Sequence, residues 1–394
     1  MTTTSTSAVS ATADTDQASA RTVRRVEVLA FAGPDQLRVT VGPPPPPLEP
    51  GQARIRVLAS SATLSDSIVR RGFNPYTSHL ELPFTLGYDM VGLVEELVPQ
   101  EGQVAGAAVG DLVVDLLRWG GNTDVLVRPI PGLTRVTADL DPVQLEPLVM
   151  TGVTAYQVLT RVAGVRAGQT VLVHGATGGV GLLAAELAVL LGARVVATGS
   201  PAKHGALTAR GATALDGRSE DLADQVRQLA PEGVDAVLDG VGGPSRAVVA
   251  ATLRHGGILV GFGFAGPAAQ VAVRTPENAD HPARAFAEAQ AILEAVRTSG
   301  NRAEEYEVGT ARDMDRAAYD HDLNALADLV ATGRLHPEVR AFPLEAVAQA
   351  HTEIDAGRVT GRVVLDHRIA PPTAGPPPTT TATTAPVSGR DGVR

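Results

Sequence analysis

The stretch Thr170–Lys203, TVLVHGATGGVGLLAAELAVLLGARVVATGSPAK, constrains the fold of this chain more than any other. Val171 to His174 is a short apolar run rich in β-branched residues, and it enters Gly175, Ala176, Thr177, Gly178, Gly179, Val180 and Gly181. From Gly181 to Leu191 nothing breaks a helix, Leu183, Leu187, Leu190 and Leu191 recur at helical spacing, and Gly192 supplies the stop. Arg194 to Thr198 reads as a second strand. Strand, glycine turn, helix and strand at these distances predict a parallel α/β unit with a dinucleotide site. Glycines let the backbone approach a pyrophosphate, while the free amides and positive dipole end of the helix face the anion. Ala176 replaces the first glycine of a G-x-G-x-x-G motif, so the context carries the reading rather than the motif. Gly175, Gly178, Gly179, Val180 and Gly181 are the expected cofactor-binding positions.

With 394 residues and 44% hydrophobic content the chain can bury two domain cores. Its net charge of −10 disfavours nonspecific attraction to nucleic acid or an anionic membrane. No cysteine is present, which removes disulfides and thiolate zinc ligands. No apolar segment reaches the roughly 18 residues that span a bilayer. The opening residues lack a secretory pattern, so a cytoplasmic protein is expected. Every basic residue but Lys203 is arginine, a bias that suggests a GC-rich coding sequence of actinobacterial type.

The expected organisation has five parts. Residues 1–22 are a Thr/Ser/Ala-rich disordered tail, and 369–394 a Pro/Thr-rich one. Residues 23–150 form a β-rich lobe, with strands at Val26–Ala30, Leu37–Val41, Ala53–Ala59, Val91–Leu97, Leu112–Leu117 and Asp124–Arg128. The proline run Pro43–Pro47 is an extended connector between two of them. Residues 151–300 continue as alternating helices and strands, including strands Val234–Asp239 and Gly257–Phe262 and helices Ser245–Leu253 and Ala283–Thr298. Strict alternation implies a doubly wound parallel sheet. In 301–368, Ala303–Val308 is an edge strand able to pair with its copy in a homodimer, and two helices and the strand Arg362–Leu365 return to the first lobe.

Taken together, LPFTLGYDMVGLVEEL (Leu82–Leu97), VGDLV (Val109–Val113), WGGNTDVLV (Trp119–Val127), TGVTAYQVL (Thr151–Leu159), GVDAVLDGVGG (Gly233–Gly243), GGILVGFG (Gly256–Gly263) and the closing GRVTGRVVL resemble the medium-chain dehydrogenase/reductase superfamily, zinc-independent quinone oxidoreductase branch. The resemblance implies an α/β protein: a GroES-like β-rich substrate domain, a Rossmann domain with a doubly wound parallel sheet, and a cleft between them for nicotinamide and substrate. Zinc alcohol dehydrogenases carry cysteine at the position of Thr63 and His-Glu where this chain has Tyr88 and Asp89. No metal site is therefore expected, which favours acceptors that take hydride without one.

The second strand ends in Thr198, Gly199 and Ser200, where NAD-specific folds place an acid for the ribose hydroxyls. Lys203 follows, a compact charge suited to a phosphate. Ser200 and Lys203 match the pattern by which quinone oxidoreductases hold a 2′-phosphate, and Arg218 stands near the place of the family's frequent tyrosine. NADPH is the expected cofactor. By match to the motifs, Thr154 and Tyr156 line the nicotinamide side, and Gly240, Phe262 and Gly263 end strands on the ligand face. For the substrate carbonyl the candidate catalytic residues are Thr63, Tyr76 and Tyr88, as hydrogen-bond or proton donors. Asp66 reads as structural and His79 as a surface residue.

The expected activity is NADPH-dependent reduction of a small-molecule quinone or enone by hydride transfer, including a pathway-specific ene reductase in polyketide metabolism. The alternatives are a cofactor-holding cyclase or isomerase without net redox change, and a binding protein on the same fold.

Overall fold

The apolar run after Gln169 becomes the centre of a six-stranded parallel sheet. The structure, a computed structural model, describes residues 22–43, 45–73, 80–101, 106–269 and 273–369. Tyr76, His79 and nearly all of both tails lie outside the described residues. In the nucleotide lobe the strands are β1 (Thr170–His174), β2 (Arg194–Gly199), β3 (Thr213–Asp216), β4 (Val234–Asp239), β5 (Leu253–Gly261) and β6 (Arg302–Glu305), in the order β3-β2-β1-β4-β5-β6. The order reverses between β1 and β4, which opens a crevice beyond their carboxyl ends.

Side-chain alternation divides the packing. Leu172, Val196, Val237 and Leu259 face the helices Leu222–Leu229, Pro244–Ala250 and His281–Thr298. Val171, Val173, Val195 and Ala197 face the other layer, led by helix α1 (Gly179–Leu190). Seven consecutive α1 residues, Leu182 to Ala188, are buried in addition to Gly181; Glu186 interrupts the apolar set and pairs with Arg210. The helix can be apolar nearly all round because the helices 142–163 and Arg316–Ala331 cover its outer side. Each fully buried leucine here contributes roughly 1.5–3 kcal/mol.

The substrate lobe is a seven-stranded sheet beside a three-stranded one. Gln52–Ala62 is its spine, pairing antiparallel with Asp89–Val98, Val125–Pro129 and the returning Arg362–Asp366. A strand at Val339–Pro343, absent from the sequence reading, pairs parallel with Arg362–Asp366. Helix Leu64–Arg70 was equally unforeseen. The expected edge strand Ala303–Val308 is shorter and earlier: it is β6, and Val308 already begins a helix because the Glu307 side chain accepts from the amides of Gly309 and Thr310. The helix expected to reach Leu253 ends at Ala250, and Leu253 instead opens β5.

The lobes share one apolar core that runs from Ala59, Val91 and Val114 to Val171 and Leu183. Its seam is the helical stretch 142–163, capped by Asp141 at its start and by Gly164, with φ of 65°, at its end. Two of its turns, Leu148–Gly152 and Val158–Ala163, are wound as π-helix.

Candidate active site

The glycine turn sits at the strand-order reversal, and three of its glycines are there for space. A Cβ on Gly181 would stand 2.6 Å from the Gly175 carbonyl oxygen and 2.7 Å from the Ala176 Cα. Gly175, with φ of 77°, would meet the Val241 side chain at 2.8 Å. Gly179 faces the Thr151 methyl, 3.2 Å from its would-be Cβ. Gly178 caps α1 without a side chain, so no side-chain cap bond competes for the first amides of the helix. Those amides have no intrahelical acceptor and point their partial positive charge into the crevice. This cradle fits a dinucleotide pyrophosphate.

Around it, β-strand ends supply the walls. A Cβ on Gly240 would lie 2.8 Å from the Phe262 ring, and one on Gly263 2.5 Å from the Gly240 carbonyl, so Gly240, Phe262 and Gly263 form one patch. His174, which sequence reasoning did not single out, closes β1. Its Nδ1 lies 2.8 Å from the Thr198 hydroxyl and its Nε2 3.1 Å from that of Ser245. Burial holds its pKa below the ordinary value, so it serves as a neutral tie between β1, β2 and the helix after β4. A polar residue ending an otherwise apolar strand was the available signal.

At the end of β2, a Cβ on Gly199 would fall 2.5 Å from the Thr177 methyl. A carboxylate side chain has no room there. Ser200 is half-buried and begins the turn that presents Lys203. The Lys203 Nζ donates to the carbonyls of Gly357, at 2.7 Å, and Val359, at 2.5 Å, and burial lowers its pKa. Among the described residues no carboxylate pairs with it. Arg218 is exposed on the turn after β3, its amide bound to Asp216.

Three residue expectations need correction. Tyr156 is not on the nicotinamide side: it lines a cavity of about 190 Å³ with Leu187, Leu190, Leu191 and Leu329, at the carboxyl end of α1. At 1.5 Å per residue that end is about 16 Å from the glycine turn. Thr154 is buried and spends its hydroxyl on the Met150 carbonyl at 2.7 Å, whereas Thr151 is the residue of that segment that touches the turn. Thr63 is the amino-terminal cap of helix Leu64–Arg70. Its hydroxyl accepts from the Asp66 amide at 2.9 Å and donates to the Asp66 carboxylate at 2.7 Å, leaving no proton free for a substrate oxygen. Burial pushes Asp66 up to about 6, with the Thr63 hydrogen bond opposing it.

Tyr88 is buried in the shared core beside Val91 and Leu116. Its neighbour Asp89 accepts from the Ser61 hydroxyl at 2.5 Å and from Arg362 at 2.7 Å. The same guanidinium reaches Glu146 at 2.9 Å. Burial raises the pKa of Glu146 well above the ordinary glutamate range, with the Arg362 guanidinium opposing the shift.

The model of the alcohol dehydrogenase GroES-like domain matches residues 49–126, and that of the zinc-binding dehydrogenase family matches 210–365. A 2-haloacrylate reductase from Burkholderia sp is 30% identical over 344 residues, covering 84% of this chain and 96% of that protein. The chain belongs to the medium-chain dehydrogenase/reductase superfamily. Within the superfamily it is similar to a quinone oxidoreductase from Pseudomonas syringae pv. Tomato DC3000, with TM-score 0.73, 26% identity and coverage of 87% of this chain and 99% of that one. A mycobacterial protein solved in complex with NADPH gives TM-score 0.71 and 27% identity over 87% and 99%. Synaptic vesicle membrane protein VAT-1 homologs also match, over 70% of the Danio rerio protein and 51% of a Mus musculus homolog-like protein. This medium-chain reductase therefore falls in the zinc-independent, quinone oxidoreductase-like branch, with a nicotinamide cofactor. No helix among its described residues is long and apolar enough to cross a membrane.

Proposed function

We propose that this protein is an NADPH-dependent reductase of quinones or conjugated C=C bonds. One observation carries the cofactor choice: β2 ends where Gly199 leaves no room for an acid, and among the described residues the ammonium of Lys203 has no carboxylate partner. Bound NADPH would supply a hydride. The amides of Gly179, Val180 and Gly181 would hold the pyrophosphate, Ser200 and Lys203 the 2′-phosphate with Arg218 near it, and Thr151, Gly240, Phe262 and Gly263 would shape the nicotinamide end. Hydride would add to the β-carbon of an enone, the electron pair would move to the carbonyl oxygen, and a proton would complete the product. Tyr88, Tyr76 or backbone amides of the cleft would stabilise that oxygen. Thr63 is removed from this role by its bond to Asp66. Positioning and electrostatics would then provide most of the rate.

The similarity to a 2-haloacrylate reductase favours an activated C=C bond over a simple ketone. Lys203→Ala removes a charged hydrogen bond worth about 1.5–3 kcal/mol, so the dissociation constant for NADPH should rise about 10- to 150-fold while that for NADH stays near wild type. Equal losses for both cofactors would refute the cofactor assignment. Assaying NADPH consumption against a panel of quinones and enones tests the reaction class; cofactor binding without turnover of any of them would point to the binding-protein alternative.

A further inference from the structure

The residues 357–361 join helix Val347–Asp355 of the substrate lobe to its strand Arg362–Asp366, yet they lie against the cofactor turn of the other lobe. The Gly361 amide donates to the Thr177 carbonyl at 3.0 Å, and Gly178 and Gly361 form an isolated parallel bridge. Val359 turns its side chain into the substrate-lobe core with Val347, Ala350 and Leu365, and its carbonyl outward to Lys203. Gly357, with φ of 65°, follows the carboxyl end of helix Val347–Asp355 and offers the second carbonyl. That helix end carries partial negative charge, an environment that attracts a cation.

An ammonium has three N–H donors. Two are taken by the strap, which fixes the third in direction, and no carboxylate among the described residues competes for it. We infer that the strap 357–361 is a cofactor-specificity element that holds Lys203 ready for a 2′-phosphate, so that both lobes set the choice between NADPH and NADH. This rests on the reading of Lys203 given above. A phosphate on the third donor would make the ammonium a bridge between cofactor and substrate lobe, and NADPH would tighten the strap where NADH would not.

Gly357→Val tests this directly. No atom lies within 4 Å of a Cβ at that position, so the substitution acts through its left-handed backbone, which a β-branched residue resists. Its expected effect is a drop of about tenfold in the NADPH-to-NADH affinity ratio, measured by fluorescence titration, with NADH affinity unchanged. Combined with Lys203→Ala it should add nothing further, because both remove one device. Hydrogen exchange of the wild-type amides 357–361 gives a second readout independent of the variant's folding: saturating NADPH should protect them more than saturating NADH. A wild-type affinity ratio in Gly357→Val, or equal protection by both cofactors, would overturn the role of the strap while leaving a Lys203→Ala defect as support for the lysine alone. An unchanged ratio in Lys203→Ala would overturn both.

Discussion

Thr63→Val replaces the capping hydroxyl by a methyl of nearly the same volume, and the structure gives the size of the loss. One part is the cap on the Asp66 amide, worth about 1 kcal/mol. The other is a hydrogen bond to a buried carboxylate, worth about 1.5–3 kcal/mol. Together they predict a loss of about 3 kcal/mol in urea unfolding at neutral pH, or about 6–12 °C in melting temperature for a domain of this size. Thr63→Ser keeps the hydroxyl and should recover most of it. The pH dependence discriminates further. Native Asp66 titrates near about 6, against about 3.9 in the unfolded chain, so between those values the native state binds more protons. Its contribution to stability therefore grows as pH falls from 7 towards 4. Removing the hydroxyl raises the native value further, and the Thr63→Val deficit should be largest above pH 7 and shrink below about pH 5. Carboxyl chemical shifts of Asp66 report the same change. A deficit below about 0.5 kcal/mol, or one constant from pH 5 to 8, would show that the hydroxyl is not committed to Asp66.

Two other substitutions probe the site. Gly181→Ala forces a methyl against the backbone of Gly175 and Ala176, and should cost about 1–3 kcal/mol in stability and weaken NADPH and NADH alike in fluorescence titrations. Arg362→Met leaves Asp89 and Glu146 buried without their cation and should destabilise by about 3–5 kcal/mol in urea unfolding.

The strands of the nucleotide lobe were legible because a sheet buried on both faces needs continuous apolar runs, as in Val171–Val173 and Ala236–Leu238. Glycines at 175 and 181 were legible because close backbone approach admits no other residue. Helix Leu64–Arg70 was not: TLSDSIV is short and polar, and Thr63 with Asp66 three residues on is a capping pattern that also resembles a substrate-pocket segment. Strand Val339–Pro343 hid behind Arg340 and a terminal proline, which a strand at the edge of a sheet tolerates. Tyr156 was misplaced because a match to the motif TGVTAYQVL does not say which helix face each of its residues occupies.

Thr151 and Tyr156 are five residues apart, about 140° on an α-helix, and the seam that carries them also contains two π turns, Leu148–Gly152 and Val158–Ala163. A π turn accommodates one residue more than an α turn, so each resets by about 100° the direction of everything after it. This offset is encoded in the number of residues and not in their chemistry. The seam can thus absorb changes of apolar side chain more readily than the loss or gain of a single residue. Its length outside those turns is the constrained quantity: a deletion inside Leu148–Gly152 would return that turn to α geometry, whereas one inside Val153–Gln157 would swing Val158 and Leu159 away from the core that both lobes share.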